Sequence, residues 1–347
     1  MEGFSLEHIN LGRKSNRDEI ARFLEKFDLR FDDTPEFTVV LRDQEGALAG
    51  TGSFDGEILR NIAVDDSLQG GGLTAAIVSA LIQEAARRGT MHYFIFTRPA
   101  KAFLFESLGF KEIVKAEPYA ALLESGIGSV ESYCESVAEE AKTLPQQRAA
   151  IVMNANPFTK GHLALIEKAA SENGGVIVFA VSEDKSAFPT EDRLLLMRQG
   201  TTHIPNVVIV PSGKYIISAA TFPTYFTKED ERAAAQACLD ITLFARQIAP
   251  RLGITARYAG EEPYCAVTAA YNQAMLDILP KTGVTVHVLP REKTDGAIIS
   301  ASAVREMIRQ GKMEELAAYV PQTTLAYLNA PENISVLEKI RSSDSRH

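Results

Sequence analysis

The sequence predicts an α/β protein of two units, a mixed-sheet unit followed by a doubly wound parallel-sheet unit, and three patterns carry that prediction. From residue 148 onward, apolar runs of strand length alternate with runs of helix length, the pattern of a parallel sheet with right-handed crossovers. Its successive members are Ala149–Met153, Leu163–Ala170, Gly175–Val181, Thr190–Gly200, Val207–Pro211, Glu229–Ile248, Ile254–Ala259, Tyr264–Leu279, Val284–Leu289 and Ser300–Gln310. Before residue 124, Phe37–Leu41 and Ala47–Phe54 flank the turn Asp43-Gln44-Glu45-Gly46, a hairpin signal. Between the two, Ser125-Gly126-Ile127-Gly128 breaks the pattern, and Val130, Tyr133 and Val137 mark one short amphipathic helix ending before Pro145. The expected division is therefore a first unit over 1–123, a connector over 124–147 and a second unit over 148–347. Residues beyond about Pro331 are polar apart from a short apolar patch and are expected to fray.

In the first unit a third strand, Ile58–Val64, feeds the loop Gln69-Gly70-Gly71-Gly72, and an apolar helix over Ala75–Arg88 follows. Consecutive glycines at a strand-to-helix turn let several N–H groups point at one oxygen-rich ligand, although glycine clusters are also common in plain surface loops.

The chemistry gathers in the second unit, in R-A-A-I-V-M-N-A-N-P-F-T-K-G-H. Ala149–Met153 is too short for a helix and lacks polar alternation, as in a strand covered on both faces. Asn154, Asn156 and Pro157 form the turn, and Gly161 lets the backbone approach whatever sits above it. Thr159, Lys160, Gly161 and His162 open the next helix, where unpaired N–H groups and the dipole attract anions. Two cations there, Lys160 and His162, oppose the dipole unless an anion is present, which points to a phosphate ligand. Far downstream, Ile299-Ser300-Ala301-Ser302-Ala303-Val304-Arg305 opens a second helix with two hydroxyls able to cap it and an arginine in its first turn. Two such helix starts in one α/β unit can clamp a triphosphate. Lys185 follows a strand end and is placed to reach a phosphate, and Arg193 lies one turn into the next helix. Glu261 and Glu262 also follow a strand end, where they hold Mg²⁺ through water, bond a ribose or are simply solvated. His203 and His287 read as packed or solvated residues.

Composition narrows the function classes. A chain of 347 residues with 46% apolar and 23% charged residues can bury real cores. A net charge of -9 and the lack of a basic stripe argue against nucleic acid or an anionic membrane as partner. Cys134, Cys238 and Cys265 match no metal spacing and are read as structural thiols of a reducing compartment. No metal-ligating cluster is legible. Without an apolar leader or an 18-residue apolar run, the expected location is soluble and cytoplasmic.

The two helix starts together, N-P-F-T-K-G-H and I-S-A-S-A-V-R, resemble the paired signatures of the nucleotidyltransferase superfamily, with its T-x-G-H turn and late I-S-S-T-x-x-R helix. The loop over Gln69–Thr74 resembles the acyl-CoA-binding turn of the GNAT acetyltransferases, Q/R-x-x-G-x-G/A, with Thr74 departing at the last small position. Phe105–Phe110 looks like that family's Y-x-x-x-G-F segment, but Phe105 has no hydroxyl to protonate a departing thiolate. An N-terminal GNAT-type unit joined to a nucleotidyltransferase unit, with Y-A-G-E-E-P-Y-C-A-V-T-A-A-Y-N in the second, resembles the citrate lyase ligase family over nearly the whole chain. Met153-Asn154-Ala155 departs from the G-x-F that opens the superfamily's turn.

The resemblance implies that ATP, with Mg²⁺ bridging its phosphates mostly through water, activates acetate to acetyl-AMP and pyrophosphate. The acetyl group then passes to the thiol of the CoA-like phosphoribosyl-dephospho-CoA arm on the citrate lyase acyl carrier subunit. It implies His162 at the transition-state α-phosphate, Thr159 and Lys160 in phosphate binding, and Ser300, Ser302 and Arg305 on the β- and γ-phosphates. Asn154, Asn156, Gly161 and Lys185 complete the expected nucleotide site, and Gln69, Gly70, Gly71 and Gly72 the expected arm site. The competing readings are a phosphopantetheine- or CoA-related adenylyltransferase and a non-enzymatic CoA-binding regulatory protein.

Overall fold

The computed structural model describes residues 3–31, 35–68, 72–183, 186–221, 229–261, 266–294 and 296–342. The chain divides into two compact units, Met1–Val130 with Ala219–Leu243, and Glu131–Ser218 with Phe244–His347. This division departs from the linear boundaries at 123 and 147, because a segment from the middle of the second half packs with the first.

The first unit contains β1 (Ser5–His8), α1 (Lys14–Glu25), β2 (Phe37–Arg42), β3 (Leu48–Asp55), β4 (Ile58–Val64), α2 (Leu73–Arg87), β5 (His92–Thr97), α3 (Ala102–Glu106), β6 (Lys111–Ala116) and β7 (Ala120–Gly126). Its seven strands form one mixed sheet in the order β1-β2-β3-β4-β5-β7-β6. The β2–β3 hairpin and β4 fall where alternation and turn residues place them. Among the described residues only β4 and β5 run parallel, and they pair only at Ile58↔Phe94 and Leu59↔Ile95, so the two strands part as each continues. Asn61 takes a left-handed backbone, φ 55, where β4 slips register against β3. Helix α2 buries Ile77, Val78 and Leu81 on the sheet. The close approach depends on Gly52, since a Cβ there would lie 2.4 Å from Ile77 Cγ2. Phe105 is buried in the same core.

The second unit begins with α4 (Val130–Glu140) and continues through β8 (Arg148–Met153), α5 (Lys160–Glu172), β9 (Val176–Ala180), α6 (Thr190–Gly200) and β10 (Val207–Pro211). Helix α7 (Glu229–Leu243) then lies against β6 and β7 of the first unit. A π-helical turn over Phe244–Ile248 leads to α8 (Ala249–Arg251), β11 (Ile254–Gly260), α9 (Ala266–Ile278) and β12 (Thr285–Leu289). The short hairpin β13 (Lys293–Thr294) and β14 (Ala297–Ile298) precedes α10 (Ala301–Arg309), α11 (Gln322–Asn329) and α12 (Ile334–Ser342).

Five strands form a parallel sheet in the order β10-β9-β8-β11-β12. The chain winds outward from β8 through β9 to β10, then crosses back to β11 on the other side of β8. The topological switch therefore falls between β8 and β11, and the carboxyl ends of these strands form the ligand crevice of such sheets. Ala149, Ile151, Met153, Val178 and Tyr258 bury one face with Ile166 of α5, Leu196 of α6 and Val304 of α10. Helix α12 adds Val336, Leu337 and Ile340 to that core, so the segment expected to fray is packed instead. The apolar patch that looked too short to order a tail lies on one face of a helix whose partner surface comes from elements distant in sequence. Burying each of its large side chains contributes about 1.5–3 kcal/mol.

Candidate active site

Helix α5 starts at the carboxyl end of β8, and its first turn is built as a reciprocal cap. Thr159 is the N-cap, with φ -117 and ψ 166, and its Oγ1 accepts from the His162 backbone N–H at 3.3 Å. In return the Thr159 backbone N–H donates to His162 Nδ1 at 3.1 Å, and Thr159 Oγ1 lies 2.9 Å from the same nitrogen. This is a capping box in which an imidazole replaces the usual carboxylate or amide. Because Nδ1 accepts, the ring proton of the neutral form sits on Nε2, which keeps a donor free for a ligand.

Burial of the ring, assisted by the Arg291 guanidinium, pushes the His162 pKa down from 6.5 to about 4. His162 is thus neutral at physiological pH and corrects the expectation of two cations at this helix start. Lys160 is placed differently from expectation as well. Its Nζ donates to the Ala317 carbonyl at 2.8 Å, and its backbone N–H donates to Tyr319 O at 2.9 Å. Thr159 is 1% exposed and spends its hydroxyl on the cap.

Gly161 admits a close neighbour, since a Cβ there would come within 3.1 Å of the Ile299 carbonyl oxygen. Ile299 directly precedes Ser300, the N-cap of α10, so the two signature segments meet at this glycine. Ser300 Oγ accepts from Ala303 N–H at 3.1 Å and lies 3.1 Å from Ser302 Oγ. Arg305 is 5% exposed, its pKa lowered by burial and by Arg309, and its Nη1 donates to the Asn156 carbonyl. It ties the late helix to the early turn instead of projecting into open space.

Asn156 is buried and Asn154 is exposed, and both side chains are hydrogen-bonded within the protein. Asn156 Oδ1 accepts from the Phe188 N–H at 3.1 Å, and Asn154 Nδ2 donates to Ser186 Oγ at 3.0 Å. Asn154 Oδ1 accepts from Arg193 Nη1 at 2.7 Å. Arg193 itself is fully buried and reaches the ends of both β8 and β9. From sequence it was legible only as a basic residue in a helix's first turn. Lys339 of α12 donates to the Ser186 carbonyl at 2.9 Å, closing the same loop from the far end of the chain.

Gly72 precedes α2 with φ 73 and open space where a Cβ would stand. Gln69, Gly70, Gly71, Lys185, Glu262 and Cys265 lie outside the described residues. Glu261 is exposed, with its carbonyl accepting from Arg291 Nε at 2.6 Å. Cys134 is buried, which pushes its thiol up to about 11 and leaves it unreactive. His203 pairs with Glu167 at 3.1 Å, and His287 stacks on Tyr258. On the outer side of α5, a cleft of about 670 Å³ is lined by Lys160, Glu167, His203, Lys293 and Thr323. His162 does not line it. Among the described residues, no cluster of three His, Cys, Asp or Glu could hold a metal, and no helix is long and apolar enough to cross a membrane.

A parallel sheet whose switch point carries a capped T-K-G-H helix start beside an S-x-S-x-x-R helix start defines a nucleotidyltransferase-type unit, here joined in the chain to a seven-stranded mixed sheet. The profile described as the citrate lyase ligase C-terminal domain matches residues 148–328. A Klebsiella pneumoniae protein named [citrate [pro-3S]-lyase] ligase is 39% identical over 322 residues, covering 91% of this chain and 93% of that protein. An Escherichia coli protein of the same name is 37% identical, covering 89% of each. The chain belongs to the citrate lyase ligase family. A shorter similarity, 34% identity over 67 residues, covers 19% of this chain and 41% of a phosphopantetheine adenylyltransferase from Symbiobacterium thermophilum. Among solved structures, the ribosomal-protein-S18-alanine N-acetyltransferase from Escherichia coli is 20% identical, covering 36% of this chain and 95% of that one, with a TM-score of 0.30.

Proposed function

We propose that this protein activates acetate with ATP and transfers the acetyl group to a thiol on the CoA-like prosthetic group of the citrate lyase acyl carrier subunit. The observation that carries the reading is the neutral, capped His162, whose Nε2–H is the donor left over once Nδ1 is engaged by Thr159. In the first half-reaction an acetate oxygen attacks the α-phosphorus of ATP, and the bond to the bridging oxygen breaks as pyrophosphate leaves. Negative charge spreads over the phosphoryl oxygens, and a fixed donor stabilises it without having to reorganise. His162 takes that role. The first turns of α5 and α10 offer backbone N–H groups to the phosphates, with Ser300 and Ser302 beside the outer ones; Lys185, outside the described residues, is a further candidate phosphate cation.

In the second half-reaction the carrier thiol loses its proton to solvent, attacks the acetyl carbonyl and expels AMP. The Gly-rich turn before α2 holds the pyrophosphate of the arm, and Phe105, buried and without a hydroxyl, takes no part in proton transfer. Mg²⁺ would travel with the nucleotide phosphates. Among the described residues no cluster of three His, Cys, Asp or Glu side chains suits a protein-held ion.

A second reading, adenylyl transfer to the phosphate of a phosphopantetheine-like acceptor with release of pyrophosphate, is favoured by the 67-residue similarity. Exchange of labelled pyrophosphate into ATP separates the readings. Acetate-dependent exchange fits the ligase, and phosphopantetheine-dependent exchange fits the second reading. No exchange under either condition leaves a CoA-binding regulatory protein.

A further inference from the structure

The least expected feature of the second unit is a fully buried arginine whose neighbours are strand-end carbonyls. Arg193 Nε donates to Phe188 O at 3.2 Å. Its Nη1 donates to Asn154 O at 3.0 Å, Asn154 Oδ1 at 2.7 Å and Val181 O at 2.7 Å. Its Nη2 donates to Glu183 O at 3.1 Å and Thr190 Oγ1 at 2.7 Å. These acceptors come from the end of β8, the end of β9 and the approach to α6, which together form one edge of the crevice. A single planar fork thus sets the directions of carbonyls on three separate segments, a task a flexible ammonium cannot perform.

The residue next to Asn154 explains what that fork works against. Ala155 sits at φ 48, a conformation that a side chain with a Cβ adopts only when its surroundings force it. On either side of Ala155 the chain is anchored, Asn154 by Arg193 and Asn156 by the Phe188 N–H and by Arg305. Three residues further on, Thr159 and His162 begin the cap that orients the imidazole.

We propose that Arg193 is a positioning residue for adenylyl transfer: it clamps the strained Asn154-Ala155-Asn156 turn so that the Thr159–His162 cap presents Nε2–H to the α-phosphate, without itself touching the nucleotide. This rests on the functional reading above. It differs from that reading in placing the determinant of rate outside the two signature segments, on a side chain buried beneath the crevice.

The test uses Arg193→Lys in the full chain, which keeps the charge but cannot span the three segments, and Thr190→Val as a milder loosening of Nη2. In acetate-dependent exchange, kcat for Arg193→Lys should fall by about 10- to 100-fold, since a misplacement near 1 Å costs about that much. The KM for ATP should stay within about three-fold, and Thr190→Val should show the same split more weakly. In a His162→Ala background, Arg193→Lys should have no further effect on kcat, because it acts through His162. A second readout needs no turnover. NMR titration of the imidazole, assigned against His162→Ala, should show the His162 pKa rising from about 4 towards 6.5 in Arg193→Lys as the cap loosens. Three results would overturn the proposal: a normal kcat per folded molecule, a rise in KM with kcat unchanged, or full additivity with His162→Ala. If the wild-type protein exchanges no pyrophosphate, the functional reading fails by itself, and an unmoved His162 titration in a folded Thr190→Val or Arg193→Lys protein would still sink the clamp. Should Arg193→Lys not fold, Thr190→Val decides by both readouts.

Discussion

Replacing His162 by alanine separates the two jobs that its ring performs. The imidazole accepts from the Thr159 N–H through Nδ1, which is a stabilising cap, and offers Nε2–H to the ligand, which is a catalytic contact. Loss of the cap removes one partner of a reciprocal pair and should cost about 1 kcal/mol of stability. Loss of a preorganised donor to transition-state charge costs about 2.7–4 kcal/mol, or roughly 100- to 1,000-fold in kcat. ATP affinity should stay within a few-fold, because the donor acts mainly on charge that develops in the transition state. The assay is acetate-dependent ATP–pyrophosphate exchange, with ATP binding measured separately by calorimetry. His162→Asn keeps an acceptor for the Thr159 N–H and should recover the melting temperature without recovering the rate.

The same residue carries a pH signature. Its folded pKa, about 4, lies below the ordinary 6.5, so the unfolded chain binds the extra proton first. The neutral ring's contribution is complete above pH 6.5 and is lost as pH falls from there to about 4. Its ceiling is about 3 kcal/mol. Activity should therefore show no inflection near pH 6.5 from this group. A rate that depends on an ionisation near 6.5 and vanishes in His162→Ala would refute the neutral-donor mechanism. Equal losses of rate and ATP affinity would show the ring to be structural.

Arg305→Ala should weaken ATP and AMP alike and lower the melting temperature, because the guanidinium is buried on the Asn156 carbonyl; calorimetry that finds only ATP weakened would place it on the outer phosphates. Ser300→Ala removes the cap of α10 and should cost about 1 kcal/mol in denaturant unfolding. Gly72→Val places a β-branched residue at φ 73, where valine is strained. It should retain acetate-dependent exchange and lose acetyl transfer to the carrier thiol, and normal transfer by the folded variant would locate the arm elsewhere. Truncation after Ala330 uncovers the core that Val336, Leu337 and Ile340 fill and breaks the Lys339–Ser186 contact, so it should lower the melting temperature by several degrees or more.

The strand, the turn and the two capped helix starts of the candidate site were legible in the sequence because they are carried by local signals. The apolar run Ala149–Met153, the turn through Asn154 and Pro157, and hydroxyls at Thr159 and Ser300 ahead of periodic apolar residues each act within a few residues of themselves. The alternation after residue 148 likewise placed β10 and α6 at their observed bounds, since strand and helix periods depend on near neighbours. The orientation and ionisation of the site's groups were not legible. Lys160 reads from sequence as a phosphate cation, and in the fold its ammonium donates to the carbonyl of Ala317, 157 residues away. His162 was read as a second cation, and burial together with Arg291 makes it neutral. The clamp made by Arg193 leaves no mark in the sequence because most of its acceptors are carbonyls, which every residue carries and which no sequence pattern marks.

Between β8 and α10 the sequence by itself determined the succession of the main strands and helices, the two helix starts and their separation, because periodicity, caps and turn residues are properties of the chain next to itself. Only the tertiary structure decided that α7 packs with the first unit, that α12 is core rather than frayed tail, and that Gly161 is small to admit Ile299. Those outcomes depend on which surfaces meet across the fold. The free energy of burying an apolar face, and the proton affinity of a buried ring, are set by neighbours that the local sequence does not name.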